Sequence, residues 1–194
     1  AEMRALQELP EQDKDRIFPL VLLAPWANSR TLEQAVERIQ AAYGTRPFFL
    51  GLDRYYRPRD PNKPSALQFQ SVSDTFDGFE NYFSFIENFR QCIPVINMGA
   101  SNVHCLRRQI SRSERLGRGF LFHIHDQNTP IGPDRFHVIG EIPHTDFAFY
   151  IDKGWNPDPL TEEIWYQGMC QSIFAEKERA AVVVCASSFP RDFT

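Results

Sequence analysis

The stretch GFLFHIHDQN, Gly119 to Asn128, decides how the chain folds. Its centre reads as a buried strand, apolar on both faces, as a parallel strand covered by helices on one side and a core on the other should be. Two histidines at positions i and i+2 of an extended chain point to the same face, because side chains alternate along a strand. His123 and His125, with Asp126 just beyond, are therefore either a metal or acid–base site or the polar filling of a barrel strand.

The same kind of run recurs on both sides of it. Ile17–Ala24 (IFPLVLLA), Phe48–Leu52 (FFLGL), Ile93–Asn97 (IPVIN), Phe120–His125, Phe147–Ile151 (FAFYI) and Ala181–Ala186 (AVVVCA) make six candidate strands. Helical periodicity fills the gaps. Thr31 to Tyr43 places Leu32, Ala35, Val36 and Ile39 on one face, with Thr31 and Gln34 in capping-box spacing and Gly44 where the helix should stop. A second helix over about Asp74 to Arg90 would bury Phe76, Phe79, Phe83 and Ile86. A third, about Asn102 to Leu116, carries Val103, Leu106 and Ile110; a fourth, about Thr161 to Lys177, turns Ile164, Trp165, Gly168 and Ile173 inward. Arg57 to Pro64 (RPRDPNKP) is an exposed loop, and Asn128 to His144 replaces a full helix with a short strand or turn.

Strand then helix, repeated, is the grammar of an α/β fold with a parallel sheet. Ile17–Ala24 is followed by PWANSR and not by a glycine-rich phosphate turn, which favours a (β/α) barrel of TIM type over a doubly wound sheet. A closed barrel has eight strands and about 250 residues. The expectation is thus an incomplete barrel of about six strands, forming one domain over residues 1–194.

With 194 residues, 42% hydrophobic and 24% charged, the chain can bury a substantial core. A net charge of −4 supplies no general basic field for a phosphate backbone, so general nucleic-acid binding is not expected. Cys92, Cys105, Cys170 and Cys185 lie far apart with no C-x-x-C, so reduced thiols and a cytoplasmic setting are expected. No apolar run approaches 18 residues, and no secretory signal or membrane span is read.

The opening AEMRALQELPEQDKDRIFPLVLLAP has the order helix, LQELP, DRI, Pro-Leu, then an apolar strand ending in proline. That order resembles the start of the beta-family proteins of bacteria and their phages. The resemblance continues through FFLGLDRYY, the strand Ile93–Asn97 and AVVVCASSFPRDF, where Ser188, Phe189 and Pro190 match a small-small-Phe-Pro turn. It implies a barrel-like fold and an association with phages and bacterial defence neighbourhoods, and no established reaction. Leu22 stands where the family usually has a carboxylate, so no role for that carboxylate is carried over.

In a barrel the site lies at the C-terminal ends of the strands. Those positions hold Trp26 and Asn28, Asp53 and Arg54, Asn97, His123 with His125 and Asp126, Asp152 and Lys153, and Ser187 with Ser188. His123 and His125 could ligate a divalent metal ion, with Asp53, Asp126 or Asp152 completing the set and a bound water as nucleophile. Alternatively Asp53 and Asp152 act as an acid–base pair, with Arg54 or Lys153 setting their ionisation. The bland reading has His123 hydrogen-bonded inside the barrel, Asp53 capping a loop and Asp152 beginning a turn before Gly154. Trp26, Asn28, Arg54, Asn97, Lys153, Ser187 and Ser188 are the candidate ligand-binding residues.

Two functions follow. One is a recognition component in phage–host conflict, binding a protein partner or small ligand at the strand ends; the other is a metal- or carboxylate-dependent hydrolase at the barrel mouth. Convergence of the side chains on one place separates them, since only chemistry demands it. Open sheet edges also predict self-association into a homo-oligomer.

Overall fold

The computed structural model describes residues 2–26, 29–98, 102–125, 131–143, 146–155 and 159–187. They form two compact units, residues 1–95 and 96–194, with the division falling inside the third strand. The architecture is α/β, and within each unit neighbouring strands pair in parallel and in chain order. Six strands are present among the described residues, against the eight of a closed (β/α) barrel. No helix among the described residues is long and apolar enough to cross a membrane. None of the four cysteines forms a disulfide, and Cys92 is buried while the other three are half-buried.

The first unit runs α1 (Glu2–Glu8), α2 (Glu11–Lys14), β1 (Leu20–Leu23), α3 (Glu33–Tyr43), β2 (Phe48–Leu52), α4 (Pro64–Val72), a 3₁₀ turn at Phe76–Gly78, α5 (Glu80–Glu87) and the start of β3 (Cys92–Asn97). β1 is shorter than the apolar run predicts, and Ile17 and Phe18 lie outside it and exposed. The predicted cap of α3 is present in shifted form: Gln34 N–H donates to Thr31 Oγ1 at 3.5 Å, while the Gln34 side chain accepts from Arg30 N at 2.8 Å. Tyr43, fully buried, donates to the carbonyl of Lys14 at 3.0 Å and so ties the end of α3 to the segment leading into β1.

Two expectations fail here for backbone reasons. α4 was hidden because Pro64, read as the end of a loop, occupies the first helical turn, where its missing N–H costs nothing. The single helix expected over Asp74–Arg90 is broken by left-handed Asp77 (φ 47) and Phe79 (φ 61), which throws Phe76 outward to 74% exposure. Phe79, Phe83 and Ile86 stay buried as expected.

Pro94 in β3 has no N–H to offer, and the β2–β3 ladder is in register only from Phe48↔Cys92 to Leu50↔Pro94. Tyr82 of α5 replaces what is lost. Its buried hydroxyl accepts from Val95 N at 2.9 Å and donates to the Leu50 carbonyl.

The second unit continues with α6 (Val103–Leu116), β4 (Phe120–His125), α7 (Pro133–Gly140), β5 (Phe147–Trp155), α8 (Pro159–Glu176) and β6 (Ala181–Ser187). Asn102 caps α6 by accepting from Cys105 N at 2.8 Å. Left-handed Gly119 (φ 71) precedes β4, and a Cβ there would sit 2.7 Å from the Asp146 carbonyl, so only glycine fits. Phe120, Phe122 and Ile124 face the same way as Phe147, Phe149 and Ile151 and join Leu106, Ile110, Val138, Ile139 and Ile173 of the helices in one core. Phe120 stacks on Phe147 at 5.3 Å and Phe122 on Phe149 at 5.0 Å.

Three expectations are corrected in this unit. The turn or strand read across Asn128–His144 contains the helix α7, opened by Gly132 and Pro133, so His137 is helical and not in a loop. Ile164 of α8 is 79% exposed, not inward. β5 runs past Ile151 to Trp155, so Asp152 lies inside a strand and does not begin a turn.

Two substitutions check this account by chemical denaturation. Tyr82→Phe strands the buried Val95 N–H and should cost about 1–3 kcal/mol. Phe122→Ala should cost about 3–5 kcal/mol, whereas Phe76→Ala should stay within about 0.5 kcal/mol.

Candidate functional site

Because Phe122, Ile124, Phe149 and Ile151 are committed to the core, the alternate residues of β4 and β5 must occupy the opposite face. Strand register then sets them side by side: His123↔Tyr150 and His125↔Asp152. On β6, Val183 pairs with Tyr150 and Cys185 with Asp152. Two successive rows result, His123–Tyr150–Val183 and His125–Asp152–Cys185, above an apolar row of Leu121, Ala148 and Ala181. Both rows lie on the C-terminal side of that apolar row along all three strands.

One ligand atom each from His123, His125 and Asp152 lies within 4.8 Å of the others. Two donors on bonds of about 2.1 Å to one ion are at most about 4.2 Å apart, so a side-chain adjustment of a few tenths of an ångström brings the set to metal-binding distance. His123 is 8% exposed, and the side chains of His125 and Asp152 are 7% and 24% exposed.

His125 Nδ1 lies 2.7 Å from the Asp152 carbonyl oxygen and 3.8 Å from its Oδ2. A carbonyl oxygen only accepts, so the ring donates from Nδ1, which leaves Nε2 as the nitrogen that can offer a lone pair. That arrangement is the one a metal-ligating histidine uses, held by a backbone carbonyl as its outer partner. Tyr150 completes the patch: its ring centre lies 5.4 Å from that of His123, and burial, then a hydrogen bond with Cys185, push its hydroxyl well above the ordinary phenol range. Tyr166 of α8 donates to the Cys185 carbonyl at 2.8 Å and holds β6 at this level.

The sequence-predicted residues divide plainly. His123, His125 and Asp152 come together. Asn97, in the same unit, gives its backbone N–H to Gln109 Oε1 at 3.3 Å. Lys153 and Ser187 are placed in β5 and β6 by backbone alone, while Asn28, Asp126 and Ser188 lie outside the described residues. Trp26, Asp53 and Arg54 belong to the other unit. There Trp26 packs under the Arg38 guanidinium at 5.4 Å, and the Asp53 carboxylate accepts from Tyr55 N at 2.9 Å, the loop-capping role of the bland reading. Arg54 is half-buried, and burial pushes its guanidinium down to about 10. Sequence reasoning missed Tyr150 and Cys185. The signal was present in Tyr-Ile-Asp, which repeats the i, i+2 spacing of His-Ile-His one strand later.

A family model described as Beta protein matches residues 1–194. The chain is also 25% identical to "Protein beta" of Enterobacteria phage P4 over 198 residues, a match covering 100% of this chain and 54% of that protein. It therefore spans about half the length of this relative. No solved structure matches it significantly.

Arg54 gives a pH-dependent check on the first unit. Its proton leaves the folded state near pH 10, below the ordinary guanidinium range of the unfolded chain, so its burial weighs against folding below pH 10 and is relieved as the pH rises above it. Arg54→Met should leave stability at pH 7 unchanged or raise it by about 1 kcal/mol, after allowing for the solvent that still reaches the side chain. A loss above about 1 kcal/mol in denaturant titration would show that the guanidinium is instead a structural tie.

Proposed function

This chain belongs to the Beta protein family, and on that premise we propose that it is a divalent-metal-dependent hydrolase whose metal is held by His123, His125 and Asp152. The observation that carries the reading is the convergence of two imidazoles and one carboxylate from two paired strands. A protein that only binds tolerates the dispersal of such groups, whereas metal chemistry requires them at one point.

When bound, a divalent ion in such a site lowers the pKa of its water toward 7 and polarises the substrate oxygen. The chain's own part is to fix ligand geometry and limit water. The Asp152 carbonyl holds His125 through Nδ1, His123 is almost fully enclosed, and Asp152 is the most open of the three. Tyr150, kept protonated by its burial, offers a hydrogen-bond donor beside this centre.

A second reading draws on the phage relative: a recognition component in phage–host conflict that binds a partner through the strand ends without chemistry. The two separate on metal content. Untagged full-chain protein prepared without added metal should contain close to one equivalent of a divalent ion by elemental analysis. His125→Ala and Asp152→Asn should lose it while keeping the wild-type circular dichroism spectrum. Absence of stoichiometric metal even after dialysis against zinc, cobalt, manganese and magnesium would discard the hydrolase and leave the recognition reading.

A further inference from the structure

Resting on the reading just given, we propose that the Cys185 thiolate is a fourth, displaceable donor to the same ion, so that the site selects a zinc-class cation and excludes water while the thiolate is bound. The first ground is register. His125, Asp152 and Cys185 are successive Cα partners across β4, β5 and β6, in one row of one sheet face. Neighbouring parallel strands lie about 4.8 Å apart, so a swing of the short cysteine side chain about its first torsion carries its sulfur toward the group held by the next strand.

The second ground is orientation. Val182 packs into the helix-covered core, and alternation then turns Val183 and Cys185 to the opposite face, the face of His123, His125, Tyr150 and Asp152. The Cys185 sulfur is not among the three ligand atoms that already lie within 4.8 Å of one another, so ligation depends on that swing, beside Tyr150, whose ring lies against His123. Tyr150, in the neighbouring row of the same face, is placed to donate to the sulfur once it ligates. The remaining cysteines are not in these rows: Cys92 belongs to the first unit, Cys105 to α6 and Cys170 to α8.

The third ground is donor chemistry. Magnesium and manganese favour oxygen ligands, whereas two imidazoles, a carboxylate and a thiolate suit zinc or cobalt. Four protein donors also complete a tetrahedron and leave no position for water. Opening such a site would be a ligand exchange without electron transfer, in which the Cys185 thiolate would give up its position to a water oxygen.

Cobalt(II) titration of the metal-free full chain tests this. The wild type should bind one equivalent with a near-ultraviolet thiolate-to-cobalt charge-transfer band and the strong visible bands of a four-coordinate ion. Cys185→Ser should still bind one equivalent but lose the charge-transfer band, and its affinity for zinc should fall by roughly tenfold or more. Cys170→Ser should leave the spectrum unchanged. Stoichiometric cobalt with no charge-transfer band in the wild type, or a band that survives in Cys185→Ser, overturns the role of Cys185 and leaves the hydrolase standing. Failure of the wild type to bind any cobalt or zinc overturns the metal site itself, and this inference with it.

Discussion

The second unit depends on the register of β4 against β5, and that register is held by the stacked phenylalanines. Phe120 on Phe147 and Phe122 on Phe149 bring together four large apolar side chains of the two strands, and all four are buried in one core with residues of α6, α7 and α8. A slip of one residue would turn these rings outward and the histidines into the core, because the side-chain period is two. The cost of exposing several buried aromatic rings, at about 1.5–3 kcal/mol each, is far larger than any polar contact on the other face. The placement of His123, His125, Tyr150 and Asp152 is thus set by what lies behind them.

In the first unit the corresponding constraint is polar. A proline within β3 deprives the ladder of a donor, and the hydroxyl of Tyr82, brought in from α5, takes the neighbouring Val95 N–H and the Leu50 carbonyl together. Buried backbone groups must be paired, so a helix supplies what a strand cannot. Tyr43 acts similarly at the end of α3, holding the backbone that leads into β1. Both tyrosines are buried as bodies and polar at the tip, which lets an aromatic core residue also close a gap in the main-chain accounting.

These causes explain how much could be read in advance. The six strands and the helices α3, α6 and α8 were legible because their apolar spacing repeats, and the pairing of the histidines on one face followed from alternation alone. α4 and α7 were not, because each opens on a proline inside a stretch rich in turn formers, and position within the first turn, not composition, decides whether proline starts or stops a helix. The break at Asp77 and Phe79 was invisible for a different reason: neither residue type favours positive φ enough to announce it, and Phe76 left the core as a result. At the site, His123, His125 and Asp152 could be named, but that Asp152 meets the histidines, and that Tyr150 and Cys185 join them, depends on interstrand register, which no single strand encodes.

Parallel strands with helices on one face usually read as continuous apolar runs, and β4 to β6 follow that rule on the face packed by helices. On the other face the row Leu121–Ala148–Ala181 obeys it as well, and the next two rows depart from it with two histidines, an aspartate, a tyrosine and a cysteine. Burying such groups carries a desolvation cost that apolar residues at the same positions would avoid, and it is visible in the upward shift of the Tyr150 hydroxyl. Local departures from the pattern that stabilises a fold concentrate where a protein does something other than fold. Here the departure begins abruptly and stays on one face, in the two rows that follow the apolar one along the strands. The same alternation that fills the core with phenylalanine thereby gathers ionisable groups from three strands into one small area, without requiring any strand to be distorted to reach it.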